Sequence, residues 1–197
     1  MENLVIRDSS FWRGRRVVLT GHTGFKGCWL LLWLQELGAQ VCSYALEPES
    51  EPNLFRQLRA YSPPGTSWHH HEGDLADLEA LKQLVHQAQP EVVLHLAAQP
   101  LVRRSYVDPL VTWATNVQGS LNLLEALKPL EQACAVVMVT TDKVYENREW
   151  AYGYRESDRL GGHDPYSASK AAAELAIGSW RASFCGREAH QTPHLRI

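Results

Sequence analysis

The stretch from Val17 to Gly38 constrains the fold of this chain more than any other. Val17-Val18-Leu19-Thr20 is apolar and β-branched, with basic residues just ahead of it, and reads as a short buried strand. Gly21, Gly24 and Gly27 follow at spacing three and three. An apolar run, Cys28-Trp29-Leu30-Leu31-Leu32-Trp33-Leu34, then leads to Gly38. Strand, glycine turn and apolar helix are the context in which such glycines carry meaning. Gly21 is expected to permit a tight turn, Gly24 to let backbone approach a pyrophosphate, and Gly27 to let the helix pack near the sheet. The helix N-terminus would then offer free N–H groups and partial positive charge to phosphates. The plain alternative is a strand–turn–helix with incidental glycines, and later segments must decide.

Those segments alternate between two periods. Residues 40–45 read as a second strand, 46–52 as a Pro/Glu-rich loop and 53–60 as a short helix, broken by Tyr61-Ser62-Pro63-Pro64-Gly65. A weaker third strand over 68–72 ends at Gly73-Asp74. Leu75, Leu78, Leu81, Leu84 and Val85 recur at helical spacing, predicting an amphipathic helix over 75–88. A fourth strand is expected over 91–98, a long helix over 109–127 with proline near its start, and a fifth strand over 133–140. An Ala-rich helix over 166–184 and the beginning of a sixth strand at 194–197 complete the pattern. Near-continuous apolar strands alternating with helices predict an α/β fold: a doubly wound parallel sheet of Rossmann type, helices on both faces. Residues 1–197 read as one such domain, ending within the sixth strand.

Composition narrows the partners. A net charge of −3 offers nothing to nucleic acid or an anionic membrane. Cys28, Cys42, Cys134 and Cys185 are scattered, without CxxC spacing, and read as free thiols in a reducing compartment. The first residues lack the apolar core of a signal peptide, and no apolar run is long enough to span a bilayer, so a soluble cytoplasmic protein is expected.

In a doubly wound sheet, ligands sit beyond the carboxyl ends of the strands. The second strand ends Tyr44-Ala45-Leu46-Glu47, where an acid for a ribose is expected; Glu47 falls about two residues late. No arginine stands there for a 2′-phosphate, which leaves a modest preference for NAD over NADP. Asp74 suits either an adenine amino group or a helix cap, and capping is the better expectation. Ala97 and Ala98 are small enough for a flat ring to lie against, or simply pack closely. After the fifth strand, Thr140-Thr141-Asp142-Lys143 places polar groups at the ligand-facing edge. Tyr166 and Lys170, four apart, share a helix face. An ammonium near a phenol stabilises the phenolate, making Tyr166 a general base, while Lys170 can also hold a ribose. Such a pair is common; the hydroxyl-bearing strand end beside it gives it weight.

Other features receive plainer readings. Within a strand, at most His69 and His71 of His69-His70-His71 could share a metal, and without accompanying ligands a partly exposed strand edge and no metal are expected. Trp29 and Trp33 read as helix packing. Arg103, Arg104 and Arg155 read as solvated charges near the active edge, where a phosphate could meet them.

Thr20-Gly21-His22-Thr23-Gly24-Phe25-Lys26-Gly27 together with Tyr166-Ser167-Ala168-Ser169-Lys170 resembles the extended short-chain dehydrogenase/reductase superfamily. Phe11-Trp12, His95-Leu96-Ala97-Ala98-Gln99-Pro100-Leu101-Val102-Arg103, Thr141-Asp142-Lys143, Gly153-Tyr154-Arg155-Glu156 and Asp164-Pro165 are similar to the CDP-glucose 4,6-dehydratase family within it. Residues 11–185 carry the resemblance. Lys143 is its specific point, because the dTDP-glucose dehydratases carry Asp-Glu where Asp142-Lys143 stands. The resemblance implies bound NAD, contacted by Gly21, Thr23, Gly24, Phe25, Lys26, Gly27, Asp74, Leu75, Leu96, Ala97, Ala98, Gln99, Thr140, Tyr166 and Lys170. It implies Thr141, Asp142, Lys143, Tyr166 and Lys170 as the catalytic set, with CDP-glucose as substrate and a homo-oligomer in the full-length form. It also implies a smaller C-terminal substrate domain, missing here. A nucleotide-sugar 4-epimerase and a non-catalytic dinucleotide-binding fragment are the alternatives; Asp142-Lys143 speaks against the epimerase.

Overall fold

The computed structural model describes residues 9–59, 67–186 and 194–197. Its strands are β1 (Arg16–Thr20), β2 (Gln40–Ala45), β3 (Ser67–Glu72), β4 (Val92–His95), β5 (Cys134–Met138) and β6 (Leu195–Arg196). They form one sheet in the order β3-β2-β1-β4-β5-β6, every pairing parallel. From β1 the chain winds one way through β2 and β3, then crosses back to β4 and winds the other way. The reversal leaves a crevice beyond the carboxyl ends of β1 and β4.

The helices are α1 (Ser9–Trp12), α2 (Phe25–Glu36), α3 (Leu54–Arg59), α4 (Leu78–Ala88), α5 (Val102–Val107), α6 (Pro109–Trp113), α7 (Gly119–Leu127) and α8 (Pro165–Phe184). On one face of the sheet, Leu81, Leu84 and Val85 of α4 and Leu123, Leu124 and Leu127 of α7 pack with Val18, Val93, Val136 and Leu195. On the other, Leu31 and Leu34 of α2 pack with Val17, Leu19, Val41 and Val92. No helix among the described residues is long and apolar enough to cross a membrane.

Local departures from expectation have local causes. The helix expected over 75–88 begins at Leu78 because Asp77, not Asp74, caps it, its carboxylate accepting the Ala80 N–H at 2.9 Å. The carboxylate of Asp74 instead accepts the Ala76 N–H at 3.0 Å, in the turn before it. The helix expected over 109–127 is α6 and α7 joined through a π turn at Ala114–Gln118, and α5 precedes it unannounced. Trp29 and Trp33 are not packing residues: α2 turns Cys28, Leu31 and Leu34 inward and leaves both indoles about half exposed. The predicted break at 61–65 lies outside the described residues.

Candidate functional site

At the end of β1, Gly21 turns the chain with φ +74°, where side chains are strained. A Cβ there would lie 2.6 Å from the Ala97 amide nitrogen, and one at Gly27 would lie 2.1 Å from the Gly21 carbonyl oxygen. These two glycines are steric requirements of the loop. Gly24 differs, since a Cβ would meet only the Gly21 oxygen, at 3.4 Å. It lines the crevice and is the N-cap of α2, with no side-chain oxygen to occupy the first N–H groups. Phe25, Lys26 and Gly27, the first turn of α2, line the crevice with it. An uncapped helix start, a nearby ammonium and a loop with its side chains removed fit a pyrophosphate.

The crevice is a cleft of about 440 Å³. Tyr44, Ala45, Leu46, Gly73, Asp74 and Leu75 wall one side; Leu96, Ala97, Ala98, Pro100, Thr115, Val139, Thr140, Tyr166 and Lys170 wall the other. Of the residues expected to touch a dinucleotide, only Thr23 and Gln99 do not line it. The Thr23 hydroxyl donates to the Leu46 carbonyl at 2.8 Å. Gln99 is buried, its amide nitrogen donating to Thr112 Oγ1 at 2.8 Å and its amide oxygen accepting the Leu101 N–H at 2.7 Å. Glu47 turns away as well, 3.8 Å from His70 Nε2. Tyr44, Gly73 and Val139 line the cleft from strand ends, and Thr115 lines it from the π turn, where no sequence signal marked it.

Tyr166 and Lys170 both reach the cleft from α8. Lys170 Nζ donates to the Val139 carbonyl at 3.1 Å. Burial holds its pKa below the ordinary lysine value, with Glu174 acting in the opposite sense. The Thr140 hydroxyl donates to Glu174, a residue overlooked in the sequence although it stands four from Lys170. The Thr141 hydroxyl donates to Asp142 Oδ1 at 3.0 Å and accepts the Lys143 N–H at 3.3 Å, capping the 3-10 turn Asp142–Val144. Asp142 and Lys143 line a second cavity of about 410 Å³, with Tyr145, Asn147, Tyr154 and His163. The five expected catalytic residues therefore divide. Tyr166 and Lys170 face the cleft, Asp142 and Lys143 face the neighbouring cavity, and Thr141 lines neither.

Beneath the cleft lies a polar network that sequence reasoning missed. Thr20 Oγ1 lies 2.7 Å from His95 Nδ1 and accepts the Ala97 N–H at 3.2 Å. Ser120 Oγ donates to the Asn116 carbonyl at 2.8 Å and lies 3.2 Å from His95 Nε2. Since Ser120 spends its proton on Asn116, His95 must donate from Nε2 and accept at Nδ1, which fixes a neutral tautomer. Burial first, then the Lys170 ammonium, lowers the His95 pKa to about 3. Asn116, projected inward by the π turn, accepts the Gln99 N–H at 2.8 Å and donates to Ser169 Oγ at 2.9 Å. It thereby ties the end of β4 to α8. Behind the glycine loop, His22 Nε2 lies 2.8 Å from His70 Nδ1, among Phe55 and Trp68. The central histidine of the triplet, not the outer pair, is thus the one engaged. Arg104 pairs with Glu49, and neither it nor Arg103 nor Arg155 lines the cleft.

Known proteins share this sequence pattern and fold. A CDP-glucose 4,6-dehydratase of Salmonella typhimurium is 50% identical over 177 residues, which are 90% of this chain and 48% of that protein. A dTDP-glucose 4,6-dehydratase of Xanthomonas campestris is 29% identical over 177 residues, 85% of this chain and 49% of that one. The crystal structure of a Thermus thermophilus UDP-glucose 4-epimerase in complex with NAD superposes with a TM-score of 0.69 at 29% identity, covering 85% of this chain and 51% of that one. The chain spans about half the length of the curated relatives it matches. The family model described as GDP-mannose 4,6 dehydratase matches residues 18–186, and the chain belongs to that family.

Proposed function

We propose that this chain is the cofactor-binding half of a nucleotide-sugar 4,6-dehydratase that converts CDP-glucose to CDP-4-keto-6-deoxyglucose. One observation carries the reading: the Tyr166–Lys170 face of α8 lines the cleft while Asp142-Lys143, in the turn after β5, lines the neighbouring cavity. The 50% identity to the Salmonella CDP-glucose 4,6-dehydratase favours CDP-glucose as the substrate. The cleft suits NAD, held by the glycine turn, Phe25, Lys26, Asp74, Leu75, Ala97, Ala98 and Lys170, with no arginine for a 2′-phosphate among the described residues that line it.

Bound NAD would supply a hydride acceptor for C4 of the hexose and would return that hydride to C6 after water is lost. In this reading Tyr166 takes the proton of the C4 hydroxyl, and Lys170 stabilises the phenolate and holds a ribose. Thr141 shares the hydrogen bond to the C4 oxygen once its hydroxyl turns from Asp142 Oδ1, its partner here. The 4-ketone acidifies the C5 hydrogen. The C5 proton then passes to Lys143 as its free amine, and Asp142 protonates the C6 hydroxyl as it departs as water. A 4-epimerase needs the tyrosine and lysine but no such acid, so Asp142-Lys143 favours the dehydratase. The complete enzyme would work in the cytoplasm as a homo-oligomer, supplying deoxysugars for surface polysaccharide such as lipopolysaccharide O-antigen.

The test uses this chain fused at Ile197 to the second half of the Salmonella relative. With CDP-glucose and NAD the fusion is expected to give a product lighter by one water. Tyr166→Phe should leave the substrate unchanged. Asp142→Asn should still remove two hydrogens at C4, while water loss slows by roughly a hundredfold to ten-thousandfold. Mass spectrometry separates the three outcomes. Normal dehydration by the Asp142 variant would overturn its role.

A further inference from the structure

Along α8, Tyr166, Lys170 and Glu174 recur four apart and so share one stripe of the helix. Tyr166 and Lys170 are buried at the cleft, and Glu174, one turn further along, is partly buried. Lys170 and Glu174 each hold one of two consecutive residues that follow β5. Lys170 Nζ donates to the Val139 carbonyl at 3.1 Å, and Glu174 accepts the Thr140 hydroxyl. Val139 and Thr140 line the cleft and lead directly into Thr141-Asp142-Lys143. Residues 170 and 174 thus fasten the helix of the proposed base to the strand end that carries the proposed acid.

A buried ammonium needs a counter-charge, since desolvation disfavours its charged form. Of the elements that pack on α8, α6 and the π turn bring no titratable side chain. α7 brings Glu125, which is paired with Lys128. α5 brings Arg103, Arg104 and Tyr106, none of which lines the cleft. The 3-10 turn brings Asp142 and Lys143, which line the neighbouring cavity. His95 of β4 lies beneath the cleft and is neutral. Lys26 and Asp74 line the cleft from α2 and from the loop after β3. Glu174 is the carboxylate on Lys170's own helix face, and it opposes the effect of burial on that lysine. We propose that Glu174 is a positioning residue of the oxidation step: held by the Thr140 hydroxyl, its carboxylate keeps Lys170 as the ammonium that poises Tyr166 as the base. The inference rests on the dehydratase reading for the role of Tyr166. Without the charge of Glu174, Lys170 would shed its proton at lower pH, and Tyr166 would lose the cation that stabilises its phenolate.

Glu174→Gln tests it, because it removes the charge and keeps an oxygen to accept the Thr140 hydroxyl. NMR of isotope-labelled lysine side chains in the 197-residue chain follows the titration of Lys170, identified by the signal lost in Lys170→Arg. In Glu174→Gln that titration should fall by roughly half to one pH unit. An unmoved titration overturns the proposal. Glu174→Met, of similar length and uncharged, guards against a Gln variant that does not fold, and should move the titration the same way. In the fusion at Ile197 to the second half of the Salmonella relative, the alkaline limb of the kcat/KM profile for CDP-glucose, where the ammonium is lost, should move to lower pH by a similar amount. A loss of rate at every pH with both limbs in place would make Glu174 a structural residue only, and overturns the proposal. A fusion that leaves CDP-glucose unchanged strikes the dehydratase reading instead, and the Lys170 titration still decides the role of Glu174.

Discussion

Gly21, Gly24 and Gly27 share one loop yet call for different tests. Gly27→Ala places a methyl carbon 2.1 Å from a backbone oxygen, so it should destabilise the fold, by about 1–3 kcal/mol or more, seen as a lowered Tm. Gly24→Val meets little resistance from the protein, because its Cβ space opens on the cleft. It should leave the fold intact and abolish NAD binding in calorimetry, and undiminished binding would remove the glycine turn from the site. At this scale the sequence was informative because spacing and residue type alone specify such a loop. It was less informative where a side chain's direction depends on its neighbours. Thr23 and Gln99 sit within the right motifs but spend their polar groups on backbone and on Thr112. Asp74 and Asp77 are equally good caps on paper, and only the start of α4 decides between them.

The element scale shows why hydrophobic period finds helices but not their irregularities. The apolar pattern over 109–127 continues unbroken through the π turn, since one extra residue shifts the helix face without interrupting it. Asn116 stands among Thr112, Thr115, Gln118 and Ser120, so its polarity alone did not mark it. Its side chain bonds Gln99 and Ser169 while 1% exposed, so the junction of β4, α7 and α8 rests on it. Asn116→Ala should strand the buried Gln99 N–H, while the Ser169 hydroxyl keeps its bond to the Tyr166 carbonyl, costing on the order of 1–3 kcal/mol in denaturant unfolding. A loss below a few tenths would mean that water replaces it. In α2 the apolar run Cys28–Leu34 suggested that Trp29 and Trp33 pack, yet a helix on the outside of a sheet has only one side to bury.

For the molecule as a whole, the doubly wound parallel sheet and the place of the cleft were legible because alternating periods admit few topologies. The histidine chemistry was not, because it arises where distant segments meet. His22 joins β3 through His70, and His95 joins β1 to α7 through Thr20 and Ser120. Both are buried, and their pKa values fall from 6.5 to about 3, chiefly through desolvation. The unfolded chain binds these protons near pH 6.5, and the folded chain only near pH 3. The unfolded state therefore holds more protons throughout that interval, so stability is full above pH 6.5 and declines as pH falls toward 3. Each histidine contributes a slope of up to about 1.4 kcal/mol per pH unit. Glu91, whose pKa is held down by the Arg16 N–H and Arg15, acts below its ordinary 4.5, so the histidine effect is cleanest above that value. Unfolding measured across that upper interval should show a clear loss of stability in the unaltered chain. His95→Asn should be less stable at neutral pH but titrate with a shallower slope, and His22→Asn with His95→Asn shallower still. An unchanged slope in the double variant would mean that other groups take up the protons, and that these two histidines are not what ties this fold to neutral pH.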